Sequence, residues 1–192
     1  DLMIQIYDPS NTNFRMNGEV LHPERCEASF ILNGVWIVEL ECSFNPTIVE
    51  NAVLSVPTPY GKKQLYRLFK VYKDDDFSHA YGYPIFLDSK NDCFLFDVRP
   101  TDKNGQEALD IMLNGSKYSA SSNITRIATS YYYNKNFIES LNGNEENSFI
   151  SRWGGEIAYN NFEVIVNNRI GSDNGLRAEF GFNLTGINET VD

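Results

Sequence analysis

The sequence predicts a mainly β protein with a minor α+β part, and three observations predict it. Short runs of alternating apolar and polar residues recur through residues 1–100. Clusters of Asn, Asp, Gly and Pro punctuate those runs. Beyond Pro100 the alternation gives way to helical spacing, and it returns after Gly154-Gly155. The expected architecture is an antiparallel β-barrel or sandwich over residues 1–100, followed by an α+β segment over residues 101–153 with two or three short helices. Residues 154–192 then form a β-hairpin region that completes or begins a second β-domain.

A chain of 192 residues is long enough for one large domain or two small ones. With 42% hydrophobic and 14% aromatic residues it can fill a core. A net charge of -10 argues against a phosphate-binding surface, which needs Lys and Arg, and against an anionic membrane surface. The three cysteines, Cys26, Cys42 and Cys93, are odd in number and lack metal-ligand spacing. Cys26 and Cys42 fall in apolar strand patterns, so buried free thiols and assembly in a reducing cytosol are expected. The sequence contains no apolar run of about 18 residues and opens on no basic-then-apolar leader, so membrane insertion is not expected. Asn-x-Thr triplets begin at Asn123, Asn183 and Asn188, and they matter only in a eukaryotic secretory route.

Met3 to Tyr7 alternates as a first strand, and Asp8-Pro9-Ser10-Asn11 ends it. His22-Pro23 is extended, because proline disfavours helix at the residue before it. Cys26 to Phe44 is a hairpin around Asn33-Gly34. A two-residue loop sets Phe30 opposite Ile37; a three-residue loop sets Phe30 opposite Trp36, Ala28 opposite Val38 and Cys26 opposite Leu40. One slip of register exchanges the faces, so the apolar match favours the second, with Gly34 left-handed in a G1 bulge. Ala52 to Val56 is a short apolar strand, and Tyr60 to Lys63 is a turn. Gln64 to Lys73 alternates, with Leu65, Phe69 and Val71 on one face and Tyr66, Leu68 and Tyr72 on the other. Phe77 to Leu87 is a strand whose Pro84 implies an edge or a bulge. Cys93 to Val98 is another.

After Pro100, Thr101-Asp102 is expected to cap a helix that includes Gln106 to Leu113. Ser116 to Ser122 is polar and small. Ile124 to Tyr133 reads as a strand, with Thr125, Ile127 and Thr129 facing one way. Phe137 to Leu141 and Glu145 to Trp153 read as short helices. Tyr159 to Val166 alternates, with Phe162, Val164 and Val166 sharing a face. It is expected to pair with Leu176 to Leu184 across a turn at Ser172-Asp173-Asn174-Gly175.

The chemistry-bearing residues form no nucleophile, zinc or phosphate-loop pattern. His79 sits in an alternating strand and His22 precedes a proline. Asp74-Asp75-Asp76 lacks the spaced ligands and glycine of an EF-hand and reads as a solvated turn. Glu145, Glu146 and Glu156 are the carboxylates available to a cell-wall hydrolase, whether endopeptidase or glycosidase. Tyr131, Tyr132, Tyr133 and Trp153 are the aromatics available to a carbohydrate-binding β-module. At most two of the tyrosines can share a face of a strand.

Several stretches also carry a resemblance. NGVWIVELE at Asn33 to Glu41, QLYRLFKVYKD at Gln64 to Asp74 and NGQEALDIML at Asn104 to Leu113 occur in order. ESLNGNEENSFISRWGGEIAYNNFEV at Glu139 to Val164 is the most specific block, and a DNG loop and FGFNLT follow it. Together they resemble the N-terminal region of phage and prophage minor tail proteins, the tail-associated baseplate-hub family also called prophage endopeptidase tail. HAYGYPIFLD at His79 to Asp88 departs from that family's pattern at Gly82 and Pro84, so His79 is given no role. The resemblance implies a tail-hub-like fold and a structural part of the tail tip, joining the tail tube to the tip and lining the DNA exit channel. It implies a homotrimer that presents two similar β-barrels per subunit, in contact with the distal tail protein and the tape-measure protein. DNA passes through without specific binding. The implied location is the virion tail tip, assembled in the bacterial cytoplasm. Peptidase or glycan-cleaving activity in that family lies in a C-terminal extension, so no catalytic, cofactor-binding or metal-binding residue and no enzyme activity is expected here.

Overall fold

The computed structural model describes residues 3–30, 36–58 and 62–168. The chain divides into two compact units, which among the described residues are 3–85 and 86–168. The fold is mainly antiparallel β with a small helical part.

The first unit holds β1 (Ile4–Tyr7), β2 (Glu19–Leu21), β3 (Arg25–Phe30), β4 (Trp36–Ser43), β5 (Val53–Pro57), β6 (Lys63–Lys73) and β7 (Phe77–Pro84). Among the described residues they form one curled, seven-stranded antiparallel sheet in the order β2-β1-β5-β6-β7-β4-β3. β3 and β4 pair Phe30 with Trp36, Ala28 with Val38 and Cys26 with Leu40, the register that the apolar match favours. The Asn33-Gly34 turn itself lies outside the described residues. Val38, Leu40, Leu54, Leu68 and Ala80 fill the core. Burial pushes the Cys26 thiol up to about 12 and raises Cys42 in the same direction, so both behave as small hydrophobes.

Two strands differ from the sequence reading. β6 carries a bulge between Leu68 and Lys70. Phe69 is the extra residue, so the two faces exchange there. Val71 therefore packs on the core beside Tyr66 and Leu68, and Tyr72 faces outward. β7 stops at Pro84 and is a central strand between β6 and β4, not an edge. Pro84 is its last residue, opposite Tyr66, where a missing donor interrupts no continuing ladder. Ile85–Asp88 turns as a 3-10 helix instead of extending the strand.

The second unit holds α1 (Ser89–Asp92), β8 (Phe94–Val98), α2 (Gly105–Leu113), β9 (Ser119–Ser122), β10 (Tyr132–Asn136), α3 (Phe137–Asn142), α4 (Phe149–Trp153), β11 (Glu156–Asn160) and β12 (Glu163–Asn167). The change of texture at Pro100 falls inside this unit, because β8 pairs with β10. β11 and β12 form a hairpin, and β12 runs parallel to β9. The expected single run from Tyr159 to Val166 is thus folded back on itself at Asn161, which has φ 54°. Asn tolerates that left-handed conformation better than most residues. Val164 and Val166 do share the buried face. The Leu176 to Leu184 run and its turn lie outside the described residues.

The cap of α2 is Asn104, not Thr101-Asp102. Its side chain accepts from the Glu107 N–H at 2.9 Å while Glu107 accepts from the Asn104 N–H at 3.3 Å, a capping box. Asn136 and Ser148 cap α3 and α4 by accepting from the Glu139 and Ser151 N–H groups, without the reciprocal bond. β9 has poor strand propensity in SASS, yet its backbone is held on both sides. β12 pairs with one edge, and the Gln106 amide bonds to Ala120 C=O at 3.0 Å and to Ser122 N–H at 2.8 Å. Residues 124–131 make one bridge, Lys103 with Ala128, in place of the expected strand from Ile124. The core collects Phe86, Leu109, Tyr132, Phe137, Phe149 and Trp153. Among the described residues no helix is long and apolar enough to cross a membrane.

Candidate assembly surface

Strand alternation in the first unit leaves one face of β3, β4, β7 and β6 outside the core. In β7 the inner positions are Ser78, Ala80, Gly82 and Pro84, and the outer ones are Phe77, His79, Tyr81 and Tyr83. In β4 the outer positions include Glu39 and Glu41. The ladder sets Glu41 opposite His79, Glu39 opposite Tyr81, Tyr81 opposite Lys70 and His79 opposite Tyr72. Charged and aromatic side chains therefore form rows across the strands.

Glu27 lies directly opposite Glu39, a like-charge pair that is unfavourable by itself. Arg25 offsets it, with its guanidinium 3.4 Å from Glu27 and 2.6 Å from Glu39. The Glu39 carboxylate holds the Arg25 guanidinium above its ordinary range. The Tyr81 hydroxyl reaches Glu39 at 3.4 Å. The His79 ring lies flat on Tyr72, with centroids 4.6 Å apart and planes 8° apart. Its nitrogens lie 2.7 Å from Asp74 and 3.6 Å from Glu41. Asp74 also accepts the Phe77 and Asp76 N–H groups at 2.8 and 3.1 Å. The His79 bond, then those two, hold its carboxyl below the usual aspartate range. Phe69 stacks on Tyr83 at 5.8 Å, and the Lys70 ammonium sits 5.8 and 5.7 Å from the Tyr72 and Tyr81 rings. Phe69 and Tyr72 are 46% and 44% exposed, so this ordered face presents apolar area to solvent. Tyr and Arg beside half-exposed apolar rings are the composition of protein–protein contacts.

The Asp74-Asp75-Asp76 loop is a turn closed on its own backbone and on His79. Among the described residues no group of three or more His, Cys, Asp or Glu side chains is placed to hold a metal ion. The His22 carbonyl lies 3.9 Å from the Cys42 sulfur.

Of the aromatics of the carbohydrate reading, two come together at the surface and two are buried. Trp153 is 2% exposed, stacks on Phe149 at 4.9 Å and donates its indole N–H to Lys103 C=O at 2.9 Å. Tyr132 is fully buried, while Tyr131 and Tyr133 stack on each other at the surface, 6.3 Å apart. Glu145, a carboxylate of the hydrolase reading, is ion-paired with Lys135. Glu146 lines a recess beside Arg126 and Arg152. Glu156 is a half-buried residue of β11.

Sequence reasoning gave no role to Arg25, Glu27, Glu39, Lys70 or Tyr81. The signal for them is the outward phase of the strands it did find, written E-x-E in β4, H-x-Y-x-Y in β7 and K-x-Y in β6.

The chain carries the fold of a solved prophage tail protein. That protein is gp18 of Listeria monocytogenes EGD-e, matched with a TM-score of 0.60 at 11% identity over 86% of this chain and 50% of gp18. A type VI secretion component of E. coli, described as similar to the T4 bacteriophage tail proteins gp27 and gp5, matches at a TM-score of 0.47 and 8% identity, over 78% of this chain and 46% of its own. The 43 kDa tail protein of prophage MuSo2 from Shewanella oneidensis matches at 0.46 and 8%, over 85% and 52%. The chain spans about half the length of these structures. No protein-family model matches it, and no curated protein matches it by sequence.

Proposed function

We propose that this chain is a structural module of a phage or prophage tail tip, a baseplate-hub part that joins the tail tube to the tip and lines the DNA exit channel. The observation that carries this reading is the fold shared with gp18 across 86% of the chain. The aromatic and ionic outer face of β3, β4, β7 and β6 supplies a surface suited to subunit contact. In this role the chain forms a homotrimer in the virion and meets the distal tail protein and the tape-measure protein. The net charge of -10 fits a channel that repels DNA phosphates and binds no specific sequence. The chain acts as a building part and not as a hydrolase.

A peptidoglycan zymogram of the purified chain tests the non-enzymatic half of the proposal. No clearing is expected. Clearing that disappears on Glu145→Gln, Glu146→Gln or Glu156→Gln would replace this reading with a cell-wall hydrolase. Sedimentation analysis tests the other half, with a trimer expected and a strict monomer at all concentrations contradicting it.

A further inference from the structure

The segment around residues 126–131 is bonded to residues 100–103 along one backbone edge, and on the other edge the Tyr131 C=O accepts from the Asn147 side-chain amide, which leaves the stretch from Ile127 to Thr129 open. Ala128 exchanges main-chain hydrogen bonds with Lys103 at 3.0 and 3.1 Å, and the Ser130 N–H reaches Pro100 C=O at 3.0 Å. Successive peptide groups of an extended chain point to opposite sides, so Ile127 and Thr129 direct theirs away from residues 100–103. The main-chain N–H and C=O groups of Ile127 and Thr129 make no backbone hydrogen bond among the described residues. This edge borders a recess of about 440 Å³. Its lining includes Arg126 and Thr129, with Glu146, Ser151 and Arg152 from α4 and the turn before it.

The charges of the recess run against those of the chain. The sequence has 26 acidic and 16 basic residues. In the second unit Arg99 pairs with Asp97, Lys117 with Asp92 and Lys135 with Glu145. Arg126 and Arg152 make no ion pair among the described residues, although they line the same recess. With Glu146 as the opposing carboxylate, the lining keeps a net positive charge. A guanidinium fork matches a carboxylate in two hydrogen bonds. Ile127, 59% exposed, adds apolar area to the lining.

We propose that this edge accepts an extended acidic peptide segment of a partner protein. The segment adds as a strand to the free peptide groups of Ile127 and Thr129, and its alternate carboxylates meet Arg126 and Arg152. An open edge alone would take any strand, and two arginines alone would take any anion. Their combination selects a segment that alternates acidic and apolar residues. The site is built from the second unit alone, so it is independent of the tail reading.

The test is an NMR titration of the isotope-labelled chain with a synthetic peptide of alternating Glu and Val. Controls are the same peptide with Lys for Glu, and the Glu/Val peptide N-methylated at alternate residues. Saturable shifts centred on the Ile127 and Thr129 amides are expected with the Glu/Val peptide only. Arg126→Glu and Arg152→Glu, both at exposed positions, should each weaken binding about tenfold or more, the scale of one charge-assisted contact. Equal binding of the Lys peptide, undiminished binding of the N-methylated peptide, or no binding of any would overturn the proposal. Broadening of the same amides with chain concentration, without peptide and abolished by Arg126→Glu, would assign the edge to a second copy and overturn the choice of partner.

Discussion

In the first unit Leu40, Leu54, Leu68 and Ala80 are buried by strand register, and the ladder satisfies the backbone around them. In the second unit Phe86, Phe137, Phe149 and Trp153 are buried under helices of four to nine residues and strands of four or five. Elements that short leave many terminal peptide groups open. Side chains close them: Asn104, Asn136 and Ser148 cap helices, Gln106 stands in for a neighbouring strand along β9, and the Trp153 indole bonds to Lys103. Asn123 and Asn167 add a reciprocal tie, with the Asn123 N–H reaching Asn167 at 2.9 Å and the Asn168 N–H reaching Asn123 at 2.8 Å. The first unit should therefore be sensitive to volume and register, and the second to single polar side chains as well as to its aromatic core.

The largest expected effect is that of Trp153→Ala. It removes the biggest buried side chain together with the donor to Lys103, at a cost of about 3–5 kcal/mol. Hydrogen exchange should show protection lost most within residues 86–168; equal loss throughout the chain would break the distinction between the units. Gly82→Ala comes next. A Cβ there would stand 2.9 Å from the Val38 side chain and 3.1 Å from Arg67 C=O in the middle of the first sheet. Overpacking of that kind costs about 1–3 kcal/mol, to be read as a lower urea midpoint. Asn104→Ala removes a helix cap in the second unit and should cost about 1 kcal/mol. The equivalent outer-face change Ser43→Ala should be near neutral, since surface changes away from caps and networks generally are. An equal loss in both variants would deny the second unit its dependence on side-chain closure.

The smallest effect concerns pH. The Asp74 carboxyl lies below its ordinary value near 3.8 in the folded chain, where it faces His79 with Asp75, Asp76 and Glu41 nearby. The unfolded chain then binds the proton more readily. The stabilisation is present above the ordinary value and is lost as pH falls through the lower, folded value. Thermal melts across the acid range should show a small drop in wild type that Asp74→Asn flattens. An identical acid profile in both proteins would remove Asp74 from the account.

The first unit was largely legible in the sequence, because alternation along strands with one buried face encodes face and register together. β3 and β4 are the clearest example, where matching Ala28 to Val38 and Cys26 to Leu40 gave the observed ladder. The bulge at Phe69 was not legible, since an inserted residue leaves the local pattern apolar on both sides. In the second unit the helices of Phe137 and Phe149 were visible from spacing. SASS at β9 was not, because its strand character comes from β12 and Gln106 and not from its own side chains. The Asn104–Glu107 box was readable as N-x-x-E, but Thr101-Asp102 offered competing cap residues just upstream. The outer face of the first sheet was encoded in the same alternation as the core. It went unnamed because a charged outward position is the ordinary condition of a half-buried strand.

The proposed tail-tip role can be decided by negative-stain imaging of phage particles or induced prophage tails labelled with a gold-conjugated antibody to the chain. Gold is expected at the distal end of the tail, at the tip beyond the tube. Gold along the tube, on the capsid or absent from intact particles would contradict it.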